Sequence, residues 1–252
     1  MRISVSAGST VETAGHPLAF SPRFDFFGLQ VIVAGYGSPA ERERQLPHTF
    51  GSMQWLASES EHFRFDHDSQ ELCSATFFVP PVSAPAGALR HTRDWPTPLR
   101  SGLRADPPGD FDLTQASVFS YTTGTDELRS FRDTTLLATT PDARIEIAPY
   151  VCLLVQGGTV AGWSLTDPAR YLTDGFAEPE NEPPSPTTRT LLADCLDLVS
   201  SPLVEDVMDK EPDAWLRLRT TERALREQPD DRGRANILHR VISRLIEDYA
   251  SW

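Results

Sequence analysis

Long apolar runs and cysteines, which define several protein classes, are scarce in this sequence. No run of about 18 apolar residues occurs, so the sequence predicts no transmembrane helix. Cysteine occurs three times, as Cys73, Cys152 and Cys195, without a C-x-x-C pair. Three widely spaced cysteines predict buried, unpaired thiols rather than a disulfide framework. The segment Met1–Val5 lacks the apolar core of a signal peptide. We therefore expect a cytoplasmic protein.

Positively charged residues are fewer than negatively charged ones. Lys210 is the single lysine, and 36 acidic residues outnumber 23 basic ones, which gives a formal net charge of -13. No basic stripe is present that could displace counterions from phosphates, so we expect no nucleic-acid binding. An acidic surface favours a basic protein partner or a cationic ligand.

Recognised catalytic signatures are absent as well. The sequence has no G-x-S-x-G nucleophile elbow, no P-loop, no H-E-x-x-H metal motif and no kinase motif. Paired carboxylates for glycoside chemistry leave no spacing signature, because the fold sets their distance. The sequence thus predicts no metal and no cofactor, and it leaves the catalytic question open.

Apolar residues alternate in twos as far as about Asp174, which is typical of half-buried strands. The Gly157-Gly158 pair between two apolar runs predicts a hairpin with Val151–Val155 as a central strand. Short connections leave no room for crossover helices, so we expect eight to ten mostly antiparallel strands. Two further sets of apolar residues are each predicted to share a strand face: Phe27, Leu29, Val31 and Val33; Cys73, Ala75, Phe77 and Val79.

The periodicity changes to that of helices near the C-terminus. Helices are predicted over Thr187–Ser200, Asp213–Glu227 and Arg234–Tyr249. In the last helix the predicted packing stripe consists of Ile237, Val241, Leu245 and Tyr249, flanked by Leu238, Ile242 and Ile246. The fold class is α+β, an N-terminal mostly antiparallel β-sheet or barrel-like structure followed by a C-terminal helical section. We divide it into a β-rich domain (1–175), an acidic proline-rich linker (176–186) and a helical section (187–252). Whether the helices cover the sheet stays open.

Two short motifs suggest ligand binding at first sight. The segment Gly35–Ala40 matches a relaxed G-x-G-x-x-A dinucleotide loop after a strand. No second parallel βα unit follows it, so we interpret it as a glycine-rich turn. The segment His62–Asp68 contains two histidines and two aspartates, but strand alternation directs His62 and His67 to opposite faces. Turn chemistry accounts for Asp66 and Asp68 without a metal.

The proline-rich connector, residues 80–112, is the predicted ligand or partner site. Long irregular loops within compact domains are uncommon and are often functional. A group of guanidinium, imidazole and indole side chains here could bind a small anionic ligand or the carboxylates of a protein partner. The candidate residues are Arg90, His91, Arg93, Trp95, Arg100 and Arg104, with Asp94 among them in the sequence.

Charged residues in the helical section follow a second pattern. Acidic residues precede arginines, as suits the helix dipole and i,i+4 pairing. The alternative is a docking surface for a basic partner. The residues are Glu205, Asp206, Asp209, Glu211 and Asp213, followed by Arg217, Arg219, Arg223 and Arg226.

Two functions remain open from the sequence. The first is a non-catalytic, acidic interaction protein that binds and masks a partner, as immunity or inhibitor proteins do. The second is a small-molecule biosynthetic enzyme of the cyclase or hydrolase type, with an active site of scattered residues in a β-barrel or sheet cleft. A deep apolar pocket that holds a histidine or a carboxylate would favour the enzyme. The oligomeric state is not predicted.

Overall fold

A computed structural model describes residues 1–6, 8–52, 61–85, 87–88, 95–122 and 126–250 of the chain. It confirms the α+β class, with a curled mixed sheet in the N-terminal part and helices at the C-terminus. The strands are β1 (Arg2–Ser6), β2 (Ser9–Thr13), β3 (Arg23–Asp25), β4 (Gln30–Val33), β5 (Thr49–Gly51), β6 (His62–Asp66), β7 (Leu72–Phe78), β8 (Leu99–Arg100), β9 (Leu103–Ala105), β10 (Val118–Thr122), β11 (Glu127–Phe131), β12 (Ala143–Ala148), β13 (Val151–Gln156), β14 (Thr159–Thr166) and β15 (Leu172–Thr173). The helices are α1 (Pro39–Gln45), α2 (Pro186–Leu198), α3 (Leu203–Met208), α4 (Pro212–Glu227) and α5 (Arg232–Ala250).

The first sheet is built around the predicted Gly-Gly hairpin. Gly157 and Gly158 have φ of +57° and +72°, a left-handed conformation that glycine adopts without steric cost. They join β13 to β14, and Val151 pairs with Leu165 and Leu153 with Trp163. Every residue of Val151–Val155 is buried, so the predicted central strand is confirmed.

This sheet curls until its two ends meet. Its strand order is β8-β12-β13-β14-β1-β2-β9, and β10 and β11 attach along β14. The first and last strands of this order are β8 and β9, and only Ser101 and Gly102 separate them along the chain. The two ends of the sheet are therefore joined by a two-residue connection. The β1–β14 and β8–β12 pairs are parallel. The structure has more strands than the predicted eight to ten, because several have only two or three residues.

The second sheet has the order β15-β3-β4-β7-β6-β5. The predicted single strand from Phe27 to Val33 was wrong at its start, since β4 begins at Gln30 and a turn precedes it. In that turn Leu29 has a φ of +46° and Phe27 is 62% exposed. Val31 and Val33 are buried as predicted, as are Ala75, Phe77 and Val79 of the second predicted set. Cys73 is only partly buried, because an irregularity in the β6–β7 pairing turns it out of the predicted face.

The helices pack against the sheets through a shared hydrophobic core, which contains residues of both. Arg189 of α2 links the two parts, because it donates to Asp126 across 2.6 Å and to Asp167 across 3.0 Å. The described part of the chain contains no helix with the length and apolar character needed to span a bilayer.

Helix α5 is present as predicted and packs through the predicted apolar face, although two flanking residues of that face are buried more deeply than the central stripe. Ala235, Leu238 and Ile242 are the apolar residues of α5 that are fully buried. Ile237, Val241 and Leu245 pack against the core but are only partly buried. The deepest burial therefore lies at the edge of the predicted apolar face rather than at its centre.

Candidate functional site

A cavity of about 370 Å³ opens where the second sheet meets the helical section. The turn that follows β3, the chain that follows β7, the chain that precedes β10 and the end of α2 form its walls. The lining is mainly apolar, and it includes the polar residues Glu61 and Gln115. We call this space the Glu61 cavity; it is lined by Phe27, Gly28, Leu29, Glu61, Phe78, Val79, Pro80, Pro81, Gln115, Ala116 and Val199.

The carboxyl group of Glu61 accepts hydrogen bonds from two different parts of the chain. It immediately precedes β6 and is 3% exposed. The indole N–H of Trp163, on β14 of the first sheet, donates to its Oε1 across 2.9 Å. The backbone N–H of Ala116 is a second donor to the carboxyl group. The Trp163 ring in turn packs against Phe77, with 5.3 Å between ring centroids. Glu61 therefore has a fixed position in an otherwise aromatic and apolar environment.

Burial raises the pKa of Glu61 from 4.5 to about 7. Desolvation of the carboxylate is the largest cause. The positive charge of Arg132 and the hydrogen bonds from Trp163 and Ala116 act in the opposite direction and limit the rise. At neutral pH the group is consequently present in both its acidic and its basic form.

Arg132 carries the positive charge that acts on Glu61. Only part of its own guanidinium group is hydrogen-bonded. Its Nη1 donates to the carbonyl oxygens of Val160, at 2.9 Å, and Val5, at 3.2 Å. Its Nε and Nη2 are buried and have no hydrogen-bond partner within the described residues. The guanidinium is thus anchored to the first sheet and contributes positive charge without forming a direct ion pair with Glu61.

The predicted histidine–aspartate segment does not converge on one point. His62 is buried, and its ring is in edge contact with Phe78, with 6.3 Å between centroids. Burial, followed by the charges of Arg42 and Arg64, lowers the pKa of His62 from 6.5 to about 4. The carboxylate of Asp66 accepts hydrogen bonds from the backbone of Asp68 and Ser69, as the turn interpretation predicts. Across the described ranges, no three histidine, cysteine or acidic side chains are grouped as a metal site requires.

The glycine-rich segment has a local explanation. It leads into α1, whose N-cap is Ser38. The backbone N–H of Gly37 donates to the Glu41 carboxylate across 2.7 Å. The helix therefore supplies its own negative charge at the position where a dinucleotide loop binds pyrophosphate.

The candidate residues of the connector lie in different places. Arg90, His91 and Arg93 lie outside the described residues. Trp95 covers a charged group on the outer face of the first sheet, with its ring centroid 4.2 Å from the guanidinium carbon of Arg129 and 5.5 Å from that of Arg144.

Arg100 and Arg104 lie in opposite end strands of the curled sheet. Arg100, on β8, is an exposed residue that pairs with Glu146 across 3.3 Å. Arg104, on β9, is exposed and forms no ion pair within the described residues. The binding role predicted for these residues stays a prediction.

The charged group beneath Trp95 was not anticipated from the sequence. Glu127 accepts a hydrogen bond from Nε of Arg129 at 2.8 Å and one from Arg144 at 2.7 Å. Glu127 and Arg129 are both buried. Strand pairing aligns Arg129 with Ser164, which aligns with Cys152 on β13. Desolvation raises the pKa of the Cys152 thiol to about 11, so this thiol stays protonated. We interpret this group as an anchor for the connector, because the ring of Trp95 lies over the guanidinium groups of Arg129 and Arg144.

Glu61 was also missed, although the sequence contains a signal for it. Glu61 is two residues before Phe63 and four before Phe65, and both phenylalanines are fully buried on β6. Alternation in a strand directs all three side chains to the same face. A carboxylate in phase with two buried aromatic residues indicates either a buried partner or a functional acid.

Comparisons with known proteins add no relative: no family model matches the chain, and no curated protein and no solved structure matches it either.

Proposed function

We propose that this protein is a small-molecule enzyme in which Glu61 exchanges a proton with a substrate bound in the Glu61 cavity. The observation that carries the proposal is that Glu61, a buried acid, lines a cavity of about 370 Å³. Cavities of ~300–1,000 Å³ with apolar walls and few polar groups are typical of small-molecule sites. The proposal corresponds to the second of the two functions expected from the sequence.

The chemistry is general acid–base catalysis. A group whose pKa lies close to the working pH is the most effective proton donor and acceptor, and its contribution is typically about 10²–10⁴-fold. Glu61 in its acidic form donates a proton to a carbonyl or leaving-group oxygen, and the carboxylate takes a proton back later in the cycle. The Trp163 N–H holds one carboxyl oxygen in place and stabilises the carboxylate form.

The mainly apolar walls favour a small, mainly apolar substrate, since Glu61 and Gln115 are the residues with polar side chains in the lining. Leu29, Val79 and Val199 offer no hydrogen-bonding side chain. A charged or strongly polar substrate would lose its hydration without compensation. The substrate class is therefore a hydrophobic compound whose carbonyl, ester or hydroxyl oxygen meets Glu61, as a cyclase or hydrolase of such compounds requires.

The test is a screen by ligand-observed NMR with apolar fragments that each carry one carbonyl or hydroxyl group. We expect hits to bind wild type and Glu61→Gln but not Ala116→Leu, in which the added side chain occupies the cavity. Turnover of any hit that reacts should fall about 10²-fold or more in Glu61→Gln. Glu43→Gln, at an exposed position, is the matched control and should behave as wild type.

Two results would contradict the proposal. One is fragment binding that Ala116→Leu leaves unchanged, since the ligand would then bind elsewhere. The other is full turnover by Glu61→Gln.

The first function expected from the sequence, an acidic protein that masks a partner, stays a second candidate. The net charge of -13 is the observation in its favour. A stable 1:1 complex with a basic protein, disrupted by salt, would support it. We also propose the cytoplasm as the compartment, and the three free thiols support a reducing environment.

A further inference from the structure

A second cavity lies on the other side of the helical section, between α4 and α5. Helix α4 is joined to α5 by a short connection, and the two form a helical hairpin whose outer groove encloses about 560 Å³. None of the residues of the Glu61 cavity lines it. We call it the α4–α5 groove, and the lining residues used below are Leu216, Arg219, Glu222, Arg223, Arg226 and Ile246.

Three arginines form a row along this groove. Arg219, Arg223 and Arg226 are all exposed and follow i, i+4, i+7 spacing on α4. Side chains at these positions share one helix face, and the row is about 10 Å long. Such a row is unusual in a chain with a net charge of -13.

The three arginines of this row outnumber the acidic residues that line the groove, Glu222 and Glu247. Arg223 forms no ion pair within the described part of the chain, and Arg219 is positioned only by the ring of Trp215, 5.5 Å away. Arg226 makes a contact of 3.6 Å with Glu222. That carboxylate is already in contact with His239 at 2.8 Å, and its side chain is 18% exposed. Arg217, by contrast, pairs with Asp194 and Asp197 of α2 rather than within its own helix.

Apolar surface accompanies the arginines. Leu216 is 67% exposed, the largest exposure among the exposed large hydrophobic residues of the described chain. Ile246 of α5 faces the same groove. A surface with arginines beside exposed aliphatic residues is typical of protein interfaces, in which arginine is enriched and lysine depleted.

We propose that the α4–α5 groove binds an acidic amphipathic helix of a partner protein. Charge complementarity defines the occupant: carboxylates at i, i+4 and i+7 of an added helix match the spacing of Arg219, Arg223 and Arg226. Aliphatic residues beside those carboxylates cover Leu216 and Ile246, as in helix-in-groove recognition. The acidic residues from 205 to 213, which suggested a docking surface for a basic partner, do not line this groove.

The test uses fluorescence anisotropy with a labelled helical peptide of about 15 residues. The peptide consists of alanine, leucine and glutamate with the spacing above, and a matched peptide has glutamine in place of each glutamate. We expect saturable binding of the glutamate peptide, at least about fivefold tighter than that of the glutamine peptide. The double variant Arg219→Gln/Arg223→Gln should lose at least about fivefold in affinity.

Controls separate the groove from the rest of the surface. Arg104→Gln removes one exposed positive charge from β9 and should not change the affinity. Glu61→Gln should not change the peptide affinity either. A result that contradicts peptide binding in the groove is therefore distinguishable from one that contradicts the proposed enzyme. The proposal is overturned if the double variant binds like wild type, if both peptides bind equally, or if no saturable binding occurs. Unchanged circular dichroism and melting temperature of the double variant ensure that the loss reflects the groove itself.

Discussion

The indole nitrogen of Trp163 lies 2.9 Å from Oε1 of Glu61, and the two residues are 102 positions apart in the chain. Their hydrogen bond connects the first sheet to the chain just before β6. It also joins a fixed donor to a carboxyl group whose pKa burial raises to about 7. Protonation of Glu61 should therefore be visible at Trp163.

We expect the indole N–H resonance of Trp163 to titrate with a midpoint near pH 7, following the pKa of Glu61. Ionisation strengthens the hydrogen bond that the indole donates, and this shifts its proton downfield. The measurement is a ¹H–¹⁵N NMR titration, with Trp163→Phe used to assign the resonance. In Glu61→Gln the same resonance should not titrate near pH 7. A midpoint close to 4.5 in wild type would mean that the carboxyl is not desolvated.

Glu61→Gln should increase stability at alkaline pH. The folded protein keeps the Glu61 proton up to about pH 7, whereas the unfolded chain releases it near 4.5. The unfolded state thus binds fewer protons between these values, and stability falls as the pH rises through this window. The amide variant removes that loss, which corresponds to about 3 kcal/mol at most. Urea unfolding at pH 5 and pH 8 should show a gain at pH 8 and little change at pH 5.

His62→Gln should have the opposite pH dependence. Burial lowers the pKa of His62 from 6.5 to about 4, so the unfolded chain binds a proton in this range and the folded chain does not. Wild type therefore loses stability as the pH falls from 6.5 to 4, by up to about 3 kcal/mol. The variant should lose less over the same range. Equal acid sensitivity of the two proteins in urea unfolding would show that His62 is accessible to protons when folded.

Trp95→Ala should destabilise the protein by about 2 kcal/mol, because it removes the ring that covers Arg129 and packs on Phe131. Arg100→Ala and Arg104→Ala should each change the unfolding free energy by less than about 0.5 kcal/mol, since both side chains are exposed. Thermal unfolding of the three variants provides the comparison. A larger loss in Arg104→Ala than in Trp95→Ala would contradict the anchoring role of the tryptophan.

Ile242→Ala should cost about 2–5 kcal/mol, as expected for a cavity at a fully buried position of α5. Leu245→Ala should cost less, because Leu245 is only partly buried. Arg244→Ala, on the exposed side, should change stability by less than about 1 kcal/mol. Chemical denaturation measures all three. A larger cost for Leu245→Ala than for Ile242→Ala would contradict this order of burial.

Several elements could be predicted from the sequence because their causes are local. The Gly157-Gly158 turn follows from the φ values that only glycine adopts freely, and the helices α2, α4 and α5 follow from a period of 3.6 residues. The apolar face of α5 could also be predicted, but the order of burial within it could not, since Ile237 and Leu238 are both apolar and only the surface they pack against distinguishes them.

The site depended on contacts that local spacing does not encode. Curling of the first sheet places β8 and β9 at opposite ends of one strand path, and the pairing partners of each are distant in the chain. Glu61 acquires its raised pKa from burial, and the residues around it come from β14, from the chain after β7, from the chain before β10 and from α2. The sequence by itself determined that Phe63 and Phe65 share a strand face, because alternation is a property of the strand alone. Only the tertiary structure decided that Trp163 and an apolar cavity meet the Glu61 carboxyl, because desolvation requires surfaces from several distant segments to close around one group.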